Sequence, residues 1–382
     1  MPQDTLLTTA DTALPRAVPL PMEDTGPKLL SLATAVPSIV LHQADVMARA
    51  TNLFRGRKSD IERLLPAFTN AGIATRYSCV PPDWYERDHG WAERSQLYVE
   101  NALDLLERAT RDCLARAGLA AGDVDAIVTV STTGIATPSL DAQLMERLAF
   151  RRDIVRLPIF GLGCAGGVLG LARAASLARV MPGARVLFLV VELCALTFRK
   201  GDLSKSNIIA AALFGDGAAA ALVGPEASAG TAAGEMPTIG AAGEYTWPDS
   251  LDVMGWRVED DGLGVLFSRD IPTLVRTQYR PALDRFLAAH GLTVGDFDGF
   301  VCHPGGTKVV AALEEAFSIP PGSLDAARAV LSEYGNMSAA TVLFVLERML
   351  RAGRGRDRQA RRLLMSALGP GFTAAFLTLH QA

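Results

Sequence analysis

Excess charge, paired cysteines and long apolar runs are all scarce in this 382-residue chain, and each scarcity removes a class of function. Lys and Arg together number 37 against 41 Asp and Glu, a net charge of −4, so the concentrated basic surface that nucleic acid or an anionic membrane requires is missing. Basic residues gather only locally, at Arg55, Arg57 and Lys58 and in the run RAGRGRDRQARR from Arg351 to Arg362, where they read as solvated faces. The five cysteines (79, 113, 164, 194, 302) are odd in number and never form CxxC, which argues against a disulfide framework and against a zinc site. Reduced thiols and a cytoplasmic location are expected, with no metal. No apolar run reaches the ~20 residues a membrane helix needs. Residues 1–26 are rich in Pro, Thr and Asp without a basic stretch followed by an apolar one, so a disordered arm is expected rather than a secretion signal.

What the chain does have is apolar content. At 49% hydrophobic residues it can bury a large core, and its length fits two similar halves, 27–224 and 225–382. In the first half nearly continuous apolar runs (LLSLATAVP, VDAIVTVST, ARVLFLVVEL, AAAALVG) alternate with helical stretches at Trp91 to Ala117, Ser139 to Phe150, after Cys164, and at Ile208 to Leu213. Unbroken apolar strands belong to a sheet covered on both faces, so a layered α/β fold is expected. The Ala, Gly, Pro and Glu between Gly224 and Gly243 read as a connector. The second half repeats this alternation, with strand GVLF, a helix from Pro272 to His290, strand FDGFVCH, a helix, NMSAATVLFVLERML as helix, and RLLMSAL with FTAAFLTL as a strand pair.

Within this frame one arrangement recurs. FGLGCAGG around Cys164 and FVCHPGGT around His303 both run from an apolar strand to a reactive side chain, two glycines and a helix. GDGAAAAL and GPGFTAAF form a second pair. A duplicated unit would carry a nucleophile in one half and a base in the other. A cysteine where strand gives way to helix sits near unpaired N–H groups, which with a neighbouring imidazolium lowers a thiol pKa from about 8.5 toward about 3.5–7.5. The following glycines leave the sulfur open to an acyl group and let backbone pack close. Asn336, in EYGNMSAATV, reads on pattern alone as a turn or helix cap.

The set GLGCAGG, LFGDGAAA, VCHPGGTK, EYGNMSAATVLFVLERM and GPGFT, in this order, resembles the type III polyketide synthases, the chalcone synthase-like branch of the thiolase fold, from about Leu29 to His380. The resemblance implies an α/β thiolase fold of two duplicated halves layered α-β-α-β-α, a homodimer, and coenzyme A thioesters as substrates with no bound cofactor. It implies a Cys164, His303 and Asn336 triad and Phe214 as gatekeeper of the cavity. Cys164 would carry the starter acyl group. His303 and Asn336 would stabilise the enolate left when malonyl-CoA loses carbon dioxide.

By the same resemblance Thr132, Thr133, Cys194, Thr197, Trp256, Val265 and Ser338 shape the substrate cavity. Valine at 265, where chalcone synthases are aromatic, and Trp256, where the plant enzymes have glycine, argue against a coumaroyl-type pocket. Thr133, Cys194 and the stretch MGWRVEDDGLGVLFSRDIP resemble bacterial long-chain synthases, so a fatty acyl starter and an alkylresorcinol or alkylpyrone product are expected. Arg63 and Lys308 are the candidate coenzyme A contacts, with Arg55, Arg57 and Lys58 as substitutes. The starter could arrive on coenzyme A or on an acyl carrier protein. Two other readings are a ketoacyl carrier protein synthase III-like condensing enzyme, whose HQAN-like motif is HPGG here, and a non-catalytic acyl-binding protein of the same fold.

Overall fold

The structure, a computed structural model, describes residues 26–54, 65–225, 236–268, 270–353 and 361–381. Arg63, Arg55, Arg57, Lys58 and the expected arm up to residue 25 lie outside the described residues.

Strands β1 (Lys28–Ala35), β4 (Ala126–Val130), β5 (Val155–Ile159), β6 (Val186–Leu193) and β7 (Asp216–Gly224) form the first part of a nine-stranded sheet. Strands β8 (Thr238–Thr246), β11 (Gly299–Cys302), β12 (Arg361–Gly369) and β13 (Thr373–Gln381) form the second, and the full order is β11-β12-β13-β8-β1-β7-β6-β4-β5. Both parts use one plan. In the first, β4 runs parallel to β6, β6 antiparallel to β7, and β7 antiparallel to β1. In the second, β11 runs parallel to β12, β12 antiparallel to β13, and β13 antiparallel to β8. The two meet at a narrow seam, Lys28 opposite Thr238.

Two helices fill the space between the parts. Gly166–Val180 packs on β4, β6 and β7 and also on β8, β12 and β13, and Thr341–Gly353 packs on β1, β7 and β11. Because strands surround Gly166–Val180 on both sides, its hydrophobic residues are buried almost all round, from Val168 to Ala178. The outer helix Trp91–Ala117 instead buries one stripe (Tyr98, Ala102, Leu105, Leu106, Ala109, Cys113) against β1, β6 and β7, and stops at Gly118 in the left-handed region, φ 66°.

Several expectations are corrected. The Cys164 and His303 frames are not equivalent in the fold: Cys164 follows β5, whereas His303 follows β11, whose counterpart in the sheet plan is β4. Asn336, just before the second buried helix, occupies the place that matches Cys164. A short strand, two glycines and a helix is generic local chemistry that recurs without common position. GDGAAAAL and GPGFTAAF do correspond, opening β7 and β13. The helix expected from Ser139 to Phe150 is confined to Leu140–Leu144, and the connector is shorter than Gly224 to Gly243 because β8 starts at Thr238. GVLF lies outside the main sheet, in a hairpin of β9 (Met254–Glu259) and β10 (Gly262–Phe267). The helix from Pro272 is interrupted by a π turn at Val275–Tyr279.

Candidate active site

Cys164 sits in a single 3-10 turn, Gly163–Ala165, that feeds directly into the buried helix. Backbone contacts lock this turn. Gly163 adopts φ +48° against the Pro370 ring, its N–H donates to Thr132 Oγ1 at 3.1 Å, and Gly369 lies under Leu162 and Ala165. The glycines after the cysteine are required by packing. A Cβ at Gly167 would stand 2.2 Å from the Ala339 carbonyl oxygen, and one at Gly166 2.7 Å from Val130.

His303 directly follows β11, held by its N–H to the Ser366 carbonyl (2.8 Å), and the chain turns at once through Gly305 N–H to the His303 carbonyl (3.1 Å). Asn336 follows Gly335, at φ +71°, and its backbone forms a parallel bridge with Phe214. Its Oδ1 accepts from Ser338 N–H at 2.8 Å and its Nδ2 donates to the Gly305 carbonyl at 3.4 Å, tying the asparagine to the turn after His303. The three side chains line one cavity of about 20 Å³, together with Met254, Phe267, Ile271, Val309, Ser366 and Leu368. They are 7%, 4% and 0% exposed respectively. The Cys164 thiol donates to Ser338 Oγ at 3.6 Å, and Ser338 itself is held at φ 46°. Both ring nitrogens of His303 are buried without a partner.

Burial dominates the electrostatics. It pushes the Cys164 thiol up to about 12, with the Ser338 hydroxyl opposing and Glu192 adding to it, and pushes the His303 imidazole down to about 3. The expected depression of the thiol pKa is therefore reversed: two desolvated groups that share no hydrogen bond both stay neutral. In this state the pair is a thiol with an imidazole free to accept its proton.

A second cavity, of about 90 Å³, is lined mainly by apolar side chains, among them Leu41, Val46, Leu53, Ala210 and Ala211, together with Cys194, Thr197 and Phe214. Phe214 stands with its ring centroid 5.9 Å from Trp256 and 6.2 Å from Phe267, and Phe267 in turn lines the triad cavity. Val265 pairs across the hairpin with Trp256. Thr132, Thr133, Trp256, Val265 and Ser338 line neither of these cavities. The Thr132 hydroxyl braces the turn at Cys164, whereas the Thr133 hydroxyl accepts from Leu193 N–H at 2.8 Å and braces the end of β6. Lys308 is exposed beside Val309 at the start of helix Thr307–Phe317.

Glu192 is a site residue that the sequence pattern did not single out. It is fully buried at the end of β6, accepts from Thr132 N–H at 3.0 Å, and has its other oxygen unpartnered. Burial pushes its carboxyl up to about 8, which makes it a neutral acid at pH 7. The available signal is a lone charge inside the apolar run VLFLVVEL. Met254 and Phe267 give no comparable signal, because they reach the cavity only through the folding of the hairpin.

Among the described residues no group of His, Cys, Asp and Glu could hold a metal ion, and no helix is long and apolar enough to cross a membrane. All five cysteines are free.

Comparison with known proteins adds the family context. Residues 22–227 match the family described as chalcone and stilbene synthases, N-terminal domain, and residues 239–382 match its C-terminal domain. A 1,3,6,8-tetrahydroxynaphthalene synthase of Streptomyces peucetius subsp. caesius is 38% identical over 357 residues, covering 94% of each chain. A Bacillus subtilis (strain 168) protein, named only as a candidate chalcone synthase, is 40% identical over 356 residues, covering 91% of this chain and 97% of its own. In three dimensions the crystal structure of 1,3,6,8-tetrahydroxynaphthalene synthase from Streptomyces coelicolor A3(2), a bacterial type III polyketide synthase, matches with a TM-score of 0.84 at 28% identity, covering 93% of this chain and 99% of that one.

Proposed function

Since the chain belongs to the chalcone and stilbene synthase family and is a type III polyketide synthase, an acyltransferase of thiolase-like α/β fold, we propose that it loads a long-chain fatty acyl starter on Cys164, extends it with malonyl-CoA, and closes the product as an alkylresorcinol or alkylpyrone. The observation that carries the fatty acyl part is the cavity lined mainly by apolar side chains, which Phe214 and Cys194 also line. An acyl tail placed there leaves water for a lining of Leu, Val and Ala side chains, worth roughly 0.8 kcal/mol per buried methylene.

In this reading His303 takes the thiol proton as the Cys164 sulfur attacks the starter thioester, and the coenzyme A thiolate leaves. Malonyl-CoA then binds with its thioester oxygen toward His303 and the Asn336 amide. Its carboxylate carbon–carbon bond breaks, carbon dioxide leaves, and the electron pair is held as an enolate by those two donors. The enolate carbon attacks the acyl-cysteine, which frees the Cys164 sulfur and leaves the lengthened chain on coenzyme A. Lys308 and Arg63 supply positive charge for the nucleotide phosphates, and no bound cofactor takes part. The starter donor is acyl-CoA or an acyl carrier protein. The enzyme works as a homodimer through the face around edge strand β5, where Ile135, Val155, Leu157 and Phe160 are 40–58% exposed. A cytoplasmic setting suits reduced thiols and coenzyme A substrates.

The names of the relatives favour one second reading, a tetrahydroxynaphthalene product, which has no alkyl tail. Incubation with malonyl-CoA alone and with hexanoyl-, lauroyl- and palmitoyl-CoA, followed by mass spectrometry, separates the two. Alkylated pyrones or resorcinols support the fatty acyl reading. Naphthalene product from malonyl-CoA alone, with no incorporation of fatty starters, rejects it.

A further inference from the structure

We propose that Arg76 is a positioning residue that joins the Phe214 gate and the Asn336 carboxamide into one rigid unit. Arg76 belongs to β3 (Thr75–Ser78), paired with Leu41 of β2 (Ile39–His42) in a hairpin apart from the main sheet, yet its side chain is almost wholly buried. A desolvated guanidinium is costly unless its donors are met. Here no carboxylate meets them. Nη1 donates to the Ala211 carbonyl at 2.7 Å and to the Phe214 carbonyl at 3.0 Å, Nη2 donates to Gln43 Oε1, and Nε has no partner.

Those acceptors identify what the charge is for. Helix Lys205–Leu213 leaves the carbonyls of its last turn unpaired, as every helix does, and partners from outside the helix take them up. Ala211 and Phe214 go to Arg76, Ala212 goes to Gln43 Nε2 at 3.0 Å, and Leu213 goes to the backbone N–H of Asn336 at 2.9 Å. Gly215 N–H in turn donates to the Asn336 carbonyl at 3.1 Å. The gate residue and the asparagine are thus two strands of one cap, and Arg76 supplies its cation at the negative end of the helix. Its stem is also the floor of both loops: Arg76 Cβ stands 3.3 Å from the place a Cβ would take at Gly215 and again at Gly335.

The proposal rests on the reading of Asn336 as a donor to the malonyl thioester, and the test keeps the two apart. Arg76→Met keeps the stem and leaves two carbonyls bare. In the full-length enzyme it is expected to slow carbon dioxide release from malonyl-CoA about tenfold or more, while iodoacetamide still alkylates Cys164 at close to the wild-type rate. Arg76→Lys, which can reach one carbonyl but not both acceptor sets, is expected to recover part of the loss. Equal loss of both activities, or no loss of decarboxylation in a folded protein, overturns the proposal. Should Arg76→Met fail to fold, Gln43→Ala removes one partner of the guanidinium and is expected to give a smaller loss in the same direction; an unchanged rate overturns the proposal equally. Asn336→Ala is the control for the underlying reading. If that variant decarboxylates normally, the asparagine reading falls, and Arg76→Met is judged on the gate alone, where an unaltered preference among acyl-CoA starters counts against it.

Discussion

The cavity around Cys164 and the cavity lined by Phe214 are built in opposite ways. Around Cys164, His303 and Asn336 nearly every position is set by backbone: a glycine turn against Pro370, strand ends of β5 and β11, and a bridge from Asn336 to Phe214. The cavity lined by Phe214 is walled by mainly apolar side chains from many elements, among them Val46, Ala50 and Leu53 of helix Gln43–Phe54 and Ala210 and Ala211 of helix Lys205–Leu213. In the proposed reading the chemistry is therefore held by main-chain geometry that tolerates little change, and the choice of substrate by side chains that can vary in size without disturbing it.

Substitutions in the two regions should then have different signatures. On the triad side the largest effect is expected from Cys164→Ala: product formation vanishes by mass spectrometry while the elution volume of the protein is unchanged. Residual turnover would contradict the assigned nucleophile. The next effect concerns protonation. With the thiol pushed up to about 12 and the imidazole down to about 3, the reactive thiolate is scarce at neutral pH. The rate of Cys164 alkylation should therefore rise about tenfold per pH unit between about pH 7 and 9. A flat profile would mean a preformed thiolate–imidazolium pair.

In the other region, Ala211→Trp should fill the apolar cavity, moving the preferred starter from palmitoyl- toward hexanoyl-CoA without loss of turnover on the shorter substrate. Loss on all starters alike would show that the two regions are not separable. The smallest effect is expected at Glu192, whose folded carboxyl keeps its proton up to about pH 8 whereas the unfolded one loses it near its ordinary value of 4.5. Between these values the unfolded state holds fewer protons, so stability declines as pH rises through that window. Glu192→Gln removes this slope, and urea midpoints should gain more at pH 8 than at pH 5.

How legible each region is in the sequence follows from the same contrast. The helix Trp91–Ala117 and strands β6 and β7 are readable because burial on one stripe or on both faces imposes a period or an unbroken apolar run. The cysteine and histidine stand out by their glycine settings, whereas the asparagine reads as a turn or cap and is singled out only by the family resemblance; the fold places all three on one cavity. Their relation to the duplication is not readable, since it depends on strand order rather than on local pattern. Arg76 is invisible: in ATRYSC it looks like an ordinary strand cation, and only the packing of a separate hairpin under helix Lys205–Leu213 buries it. Phe267 and Met254 likewise become part of the site only when their hairpin folds over it.

The central claim is that an acyl group on Cys164 passes the Phe214 ring into the apolar cavity. A crystal structure of Asn336→Ala trapped with a palmitoyl starter tests it most directly, since loading needs the cysteine and histidine while extension needs the asparagine. The account predicts continuous density from the Cys164 sulfur past Phe214 to Ala210 and Ala211. A tail lying instead toward Lys308, with the apolar cavity empty, would contradict it.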